Sequence, residues 1–278
     1  MKQIFDELSL TTSKNLTQLY STSFSMGIRL LSPRIRDAIY SIYAYVRLAD
    51  EIVDSFHDYR KEVLLHKLIQ ETDEALQQEI SLNPILNAFQ KTVHEYDIDR
   101  DLIKQFLKSM EMDLHKVNYN SSFYKEYILG SAEVVGLMCL QIFVDGDKNS
   151  FQILQPFAMK LGSAFQKVNF LRDVKNDFEI LGRSYFPDVN VLNFDGISKQ
   201  HIEKDIEEDF TIALKGIILL PKSSKFGVYL AYCYYYKLFR KIKKTPVKNI
   251  LKERIRISNT KKIIIGINSF LYYKFQMK

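Results

Sequence analysis

Tryptophan is absent from this 278-residue chain, cysteine occurs 2 times, proline 6 times and glycine 10 times. So little proline and glycine excludes the turn-rich punctuation of a β-sandwich or barrel. Cys139 and Cys233 stand in apolar surroundings without metal-ligand spacing, so neither a disulfide scaffold nor a zinc site is expected. Two buried thiols in a reducing cytoplasm are expected instead. Long apolar runs are missing too. The longest, Ile263–Tyr273, is too short to span a bilayer, and Asn268 interrupts it. Met1–Leu10 lacks a basic start followed by an apolar stretch, so no secretory leader is expected.

Acid is scarce at one end. Beyond Asp209 the only carboxylate is Glu253, whereas Lys237–Lys262 is dense in lysine and arginine, and the whole chain carries a net charge of +6. These bases alternate with core-type apolar residues, and no nucleic-acid motif accompanies them. Phosphorylated substrates or an anionic membrane surface therefore suit the region better than nucleic acid. The expected location is the cytoplasm, peripheral on the inner membrane face. No feature of the chain sets an oligomeric state.

What is present is helix pattern. Hydrophobic residues make up 46 % of the chain and recur at threes and fours between the prolines, which predicts an all-α fold. Helices are expected at Thr11–Leu30, Arg34–Asp54, Tyr59–Ala75, Pro84–Glu95 and Arg100–His115. Further ones are expected at Phe123–Val144, Ser150–Ile180, His201–Leu219, Lys225–Lys243 and Lys248–Tyr272. Arg183–Ser198 is the longest stretch expected to be non-helical. Without a repeat, a low-complexity linker or a composition break, residues 1–278 are expected to form one domain.

Asn169, Asp173 and Asp177 recur every fourth residue, so on a helix they stack in one line, with Gln166 a turn earlier and Arg172 beside it. Oxygen side chains in a column suit a hard divalent cation. Singly, such a column is also what any solvated helix face shows. A second acidic ladder changes that balance: Asp50 and Asp54 lie one turn apart on the Arg34–Asp54 helix, with Tyr43 and Arg47 on the same side. Carboxylates hold metal and arginine forks hold anionic oxygens, and a diphosphate bound through Mg²⁺ needs both. A di-iron carboxylate bundle needs repeated Glu-x-x-His motifs, and only Asp54-x-x-His57 approaches one. His57, His66, His94, His115 and His201 accompany no serine or cysteine elbow and are expected at the surface.

Tyr20–Asp54 resembles the opening motif of the squalene/phytoene synthase family, a Ser-x-Ser-Phe stretch before an aspartate-rich helix. Gln166–Asp177 resembles that family's second aspartate-rich motif, and Gly182–Pro187 its Gly-Arg-x-Tyr-x-Pro tail. Tyr127–Met138 is similar to its central helix, and Tyr235 and Arg254 fit its C-terminal motifs. The chain departs from the pattern at Tyr20, where histidine is frequent, at Glu51, where a second aspartate is, and at Glu133, where glycine is.

The resemblance implies a helical bundle of the isoprenoid synthase type with a central active-site cavity. It implies head-to-head condensation of two identical prenyl diphosphates through a cyclopropyl diphosphate, with Asp50, Asp54, Asp173 and Asp177 catalytic. Asp50, Asp54, Asn169, Asp173 and Asp177 would hold Mg²⁺, with Mn²⁺ as its substitute. Ser21, Tyr43, Arg47, Tyr127, Val135, Gln166, Arg172, Tyr235 and Arg254 would bind substrate. Ser131, Val135 and Leu137 would line a dry pocket, whose wall Glu133 would alter. Geranylgeranyl diphosphate, giving phytoene without NADPH, is the favoured substrate. Farnesyl diphosphate, giving squalene or dehydrosqualene, is the alternative, and a non-catalytic assembly factor lies further off.

Overall fold

A computed structural model describes residues 1–114, 120–179, 185–187 and 194–276, without the side chains of 176–179 and 276. Its first helices are α1 (Lys2–Tyr20), α2 (Thr22–Arg29), α3 (Pro33–Asp54), α4 (Lys61–Gln78), α5 (Pro84–Glu95) and α6 (Arg100–Met112). After them come α7 (Ser121–Ile128), a π-helical turn (Leu129–Glu133) and α8 (Val134–Val144). The chain continues through α9 (Lys148–Glu179), α10 (Gly196–Leu219), α11 (Lys222–Lys243), α12 (Val247–Ile250) and α13 (Asn259–Gln276). Among the described residues there is no strand, so the expected all-α class is observed.

Most helices keep the apolar spacing that predicts them, and four differences have local causes. The first helix begins at Lys2, because its buried face is Ser9, Ser13 and Thr17, not an apolar stripe. Each hydroxyl bonds the carbonyl one turn earlier, to Phe5 at 2.8 Å, Ser9 at 3.1 Å and Thr17's to Ser13 at 2.9 Å, so small polar residues pack without an unmet donor. It ends at Ser21, whose backbone is extended and whose hydroxyl accepts the Phe24 amide at 3.1 Å, starting α2.

The expected Lys248–Tyr272 helix is interrupted between α12 and α13. There Lys241 Nζ donates to the Arg256 carbonyl at 2.8 Å and Lys175 Nζ to the Lys252 carbonyl at 3.5 Å, in place of a helix ladder. The expected Phe123–Val144 helix carries the π turn near its middle. Asp195 caps α10 by accepting the Ser198 amide at 2.8 Å, so that helix starts ahead of His201. Of the stretch expected to be loop, 183–184 and 188–193 lie outside the described residues.

Two apolar cores form. One surrounds α3, where Tyr45 and Phe89 stack at 3.7 Å between α4, α5 and α6. The other surrounds α9, α10 and α11 and includes Phe210 and Phe239. Helix α8 is apolar on all sides and serves both: Val134, Met138 and Ile142 enter the first core, and Leu137, Leu140 and Val144 the second. Ser121–Val144 is the one span among the described residues long and apolar enough to cross a membrane, yet half of that window is buried in the protein. It is the central helix.

Behind the cavity side of α9 lies a buried charge cluster. Asp209 of α10, 1 % exposed, accepts Lys160 Nζ at 2.7 Å and Lys167 Nζ at 2.6 Å, and Lys167 also reaches Asp205 at 2.5 Å. Ser163 donates to Glu133 of the π turn, whose carboxyl is raised by burial. Close helix contact here depends on Gly162. A Cβ on it would stand 2.6 Å from the Ala132 carbonyl oxygen, whereas one on Gly196 would meet nothing within 4 Å. Gly162→Ala is therefore expected to cost about 1–3 kcal/mol through overpacking. Urea unfolding against Gly196→Ala checks it, and equal stability of the two variants would refute the close contact.

Candidate active site

Where the two cores would meet, α2, α3, α8, α9, α10 and α11 leave a cavity of about 450 Å³. One end is polar. Arg47 and Asp50 face it from α3, Gln166, Asn169 and Arg172 from α9, and Arg254 from the stretch between α12 and α13. Tyr20, Ser21, Tyr43 and Tyr235 complete that rim. The other end is lined by Leu31, Ile39, Phe143, Leu154, Phe157 and Leu220. At 1.5 Å per residue, Arg172 and Leu154 mark about 27 Å of α9 along its wall.

Asp50 looks into this space, half-buried, with its side chain 34 % exposed. Burial, followed by repulsion from Asp54 and Asp113, raises its carboxyl to about 7 despite Arg47. Such a group is poised to trade its proton for a cation. Asp54 lies a turn further along α3, off the cavity wall. On α9 the Asn169 Oδ1 is buried without a hydrogen-bond partner, an oxygen left open toward the same end. Asp173 sits a turn on and is off the wall, gripped by Arg172 Nε at 3.0 Å and Arg254 Nε at 2.7 Å. Hard oxygen donors on two helices fit Mg²⁺. Among the described residues no three His, Cys, Asp or Glu side chains converge on one point. The side chain of Asp177, the remaining expected ligand, lies outside the described residues.

Arg47 is held by the two departures from the family pattern on its own side. Its Nη2 pairs with Glu51, its guanidinium carbon lies 4.5 Å from the Tyr20 ring centre, and Nη1 stands 4.0 Å from Asp50. Its Nε is buried with no partner, a donor in need of an anionic oxygen. Glu51 itself is buried, which would raise it, but hydrogen bonds from Ser55 and Arg47 hold it below the usual carboxylate range.

The tyrosines are organised by Phe24, whose ring lies 5.7 Å from Tyr43 and 5.4 Å from Tyr235, while Tyr235 stacks on Phe165 at 4.0 Å. Burial raises both phenols, so they remain neutral hydroxyl donors. Ser131 Oγ, presented by the π turn, is likewise buried and unpartnered on the wall, with Val135 one turn on.

Three expectations need correction. Tyr127 is not on the wall: its hydroxyl donates to buried Asp113 at 2.6 Å, which also accepts Tyr185 at 3.4 Å. Leu137 points into the second core, because the π turn rotates α8 relative to α7. Glu133 turns to Ser163, so it does not shape the wall. Asp113, which bears on Asp50 electrostatically, was hidden in the sequence because it caps the end of an amphipathic helix with no periodic acidic partner. His57, His66, His94 and His201 are exposed as expected, and His115 lies outside the described residues. Neither cysteine forms a disulfide, and Cys139 lies on the cavity wall.

The chain is similar to several known proteins. Residues 17–261 match the family Squalene/phytoene synthase. The chain is 28 % identical over 270 residues to phytoene synthase 1, chloroplastic, of Solanum lycopersicum, covering 88 % of this chain and 63 % of that protein. It thus spans a little under two thirds of that relative. To the 4,4'-diapophytoene synthase of Staphylococcus haemolyticus (strain JCSC1435) it is 24 % identical over 276 residues, covering 92 % of this chain and 94 % of the other. A crystal structure of a dehydrosqualene synthase in complex with ligand superposes with a TM-score of 0.80 at 19 % identity, covering 97 % of this chain and 98 % of that one. The fold is the all-α isoprenoid synthase fold.

The raised carboxyl of Asp50 has a consequence for stability. With a folded value of about 7 above the unfolded one, the native state binds the extra proton between them, so this group's contribution falls as pH rises from about 4 to about 7. In chelator, the stability difference between wild type and Asp50→Asn is expected to favour wild type more at about pH 5.5 than at about pH 8. Thermal unfolding of both proteins measures it, and the opposite slope would refute the raised carboxyl of Asp50.

Proposed function

Because the chain belongs to the squalene/phytoene synthase family, we propose that it condenses two identical prenyl diphosphates head to head, and that geranylgeranyl diphosphate, giving phytoene in carotenoid biosynthesis, is its substrate. The observation that carries this reading is one cavity with Arg47, Arg172, Arg254 and the Asp50 carboxylate at one end and an apolar stretch behind them, about 17 Å along α9 from Phe165 to Leu154. Diphosphates would sit at the first and the prenyl chains would fill the second.

Arg47, Arg172 and Arg254 take diphosphate oxygens, the free Nε of Arg47 being a ready donor. Gln166, Ser21, Tyr43 and Tyr235 orient those oxygens from the rim. Asp50, Asp54, Asn169, Asp173 and Asp177 would hold Mg²⁺ or Mn²⁺, which when bound supplies charge neutralisation that eases departure of diphosphate. Arg172 and Arg254 leave Asp173 for the substrate as it enters. Loss of diphosphate from one chain gives an allylic cation that the double bond of the other attacks, and loss of a proton closes the ring of a cyclopropyl diphosphate. Loss of the second diphosphate, rearrangement and loss of a second proton give the hydrocarbon. Val135, Phe157 and Leu161 exclude the water that would quench such cations. No reduction occurs on this route, so it uses no NADPH.

The second reading, farnesyl diphosphate as substrate, is favoured by the likeness to a diapophytoene synthase over nearly its full length. Chromatography of products from each diphosphate decides between them: a C40 hydrocarbon is expected, and a C30 one would replace phytoene by squalene or dehydrosqualene. Absence of pyrophosphate release from either would make the chain a non-catalytic assembly factor. Asp50→Ala and Asp173→Ala are each expected to lower turnover by about 10²-fold or more while keeping the helical circular dichroism spectrum. Near-wild-type turnover in either would refute its role. We propose further that the protein works in the cytoplasm, peripheral on the inner membrane face, where prenyl substrates partition.

A further inference from the structure

Helix α13 is built inside out. The residues it turns to the protein are Lys262, Ile265, Gly266, Ser269 and Tyr273, spaced three, one, three and four apart and therefore on one face. Gly266 and Ser269 leave room for α11, whose Phe226 and Tyr229 meet Tyr273 at 4.9 Å and Tyr272 at 6.0 Å. The opposite face is apolar and open. Ile263, Ile264, Ile267, Phe270, Leu271 and Phe275 are between 47 % and 75 % exposed. A surface helix normally carries its polar residues outward, and a contiguous exposed apolar patch marks a docking surface.

Charge says what docks there. Helix α13 contains no acid, Lys261 and Lys274 are exposed on it, and Lys252 and Arg256 are exposed just ahead of it. Lys274 projects from within the apolar stripe, since it follows Ile263, Ile267 and Phe270 at helical spacing. A second copy of the chain set on this face would bring such lysines together with no carboxylate of α13 to neutralise them. Protein interfaces are depleted in lysine, whereas a helix lying in a bilayer surface keeps its apolar face in the acyl boundary and its lysines at anionic headgroups.

Some of the bases on and before α13 are already engaged within the protein. Lys243 pairs with Glu207, Arg254 with Asp173, and Lys262 with Thr22. That last contact also positions the helix, because Thr22 follows Ser21 on the cavity rim. From the rim, α13 runs about 27 Å across the surface.

We infer that α13 is a membrane-docking helix that lies in an anionic lipid surface with Ile263, Ile264, Ile267, Leu271 and Phe275 inserted, and so sets the cavity rim beside the bilayer. The apolar stripe and its lysines define the surface by themselves; only the benefit of placing the rim there rests on the functional reading. Flotation of the full chain with vesicles of phosphatidylcholine, alone and mixed with phosphatidylglycerol, tests it at low and high salt. Wild type is expected to float with the anionic vesicles and to retain part of that binding in high salt, because the apolar contribution is not screened. The double substitution Ile267→Glu and Leu271→Glu is expected to lower the partition coefficient about tenfold or more, with the melting temperature and the turnover of detergent-dispersed substrate unchanged.

Three outcomes overturn the inference: wild type that stays with the aqueous phase beside anionic vesicles, a double variant that floats as wild type does, or a solution dimer that the double variant splits. Turnover in detergent is read separately. A protein that floats but releases no pyrophosphate overturns the functional reading and leaves the docking surface in place.

Discussion

The bundle turns on Asp209. Its carboxylate is buried on α10 and holds two lysines seven residues apart on α9, Lys160 and Lys167. Seven residues return to nearly the same side of a helix, so the pair fixes the rotation of α9. With those lysines turned to α10, Gln166, Asn169 and Arg172 turn to the cavity. A buried ion pair contributes little net stability against apolar residues of the same shape, yet removing one partner strands the other charge. The cluster therefore sets orientation more than it adds free energy. The Ser163–Glu133 contact extends it to the π turn, which in turn presents Ser131 and Ala132 to the cavity.

Keeping an apolar space of about 450 Å³ open forfeits dispersion contacts along its lining. Around it the helices pack at close range. Gly27 and Gly227 let α2 and α11 cross so closely that a Cβ on Gly227 would stand 2.7 Å from the Gly27 carbonyl oxygen. Gly216 accepts the Phe157 side chain, leaving that ring at the deep end of the cavity. At the polar end, unmet atoms are concentrated: Arg47 Nε, Ser131 Oγ and Asn169 Oδ1 are all buried, unpartnered and on the cavity wall. Orphans are costly in a folded protein, and three facing one space are chemistry waiting for a polar ligand. Asp50, kept from ionising freely by its surroundings, belongs with them.

Much of this was legible from local spacing. The column of Asn169 and Asp173 and the pair Asp50 and Asp54 are periodic within one helix each, so no tertiary knowledge is needed to put them on one side. Helix α1 was legible only in part, since its buried face of Ser9, Ser13 and Thr17 reads as polar until the backbone bonds of those hydroxyls are seen. Tyr127 was misassigned to the substrate for a related reason. Its partner Asp113 lies across a helix break, and nothing periodic joins the two.

From its sequence alone the chain is all-helical, carries two acidic ladders with arginines beside them, and concentrates base beyond Asp209, because each of these is a property of composition or of spacing within a few turns. Only the tertiary structure decided that Arg254 reaches Asp173 across 81 positions, that Glu51 and Tyr20 hold Arg47, and that the π turn sends Leu137 and Glu133 away from the cavity. It also decided that α13 faces its apolar residues outward, since hydrophobic periodicity identifies an apolar stripe but not which side meets the protein. Those outcomes depend on which surfaces are free once every other helix has packed, and no short-range rule contains that information.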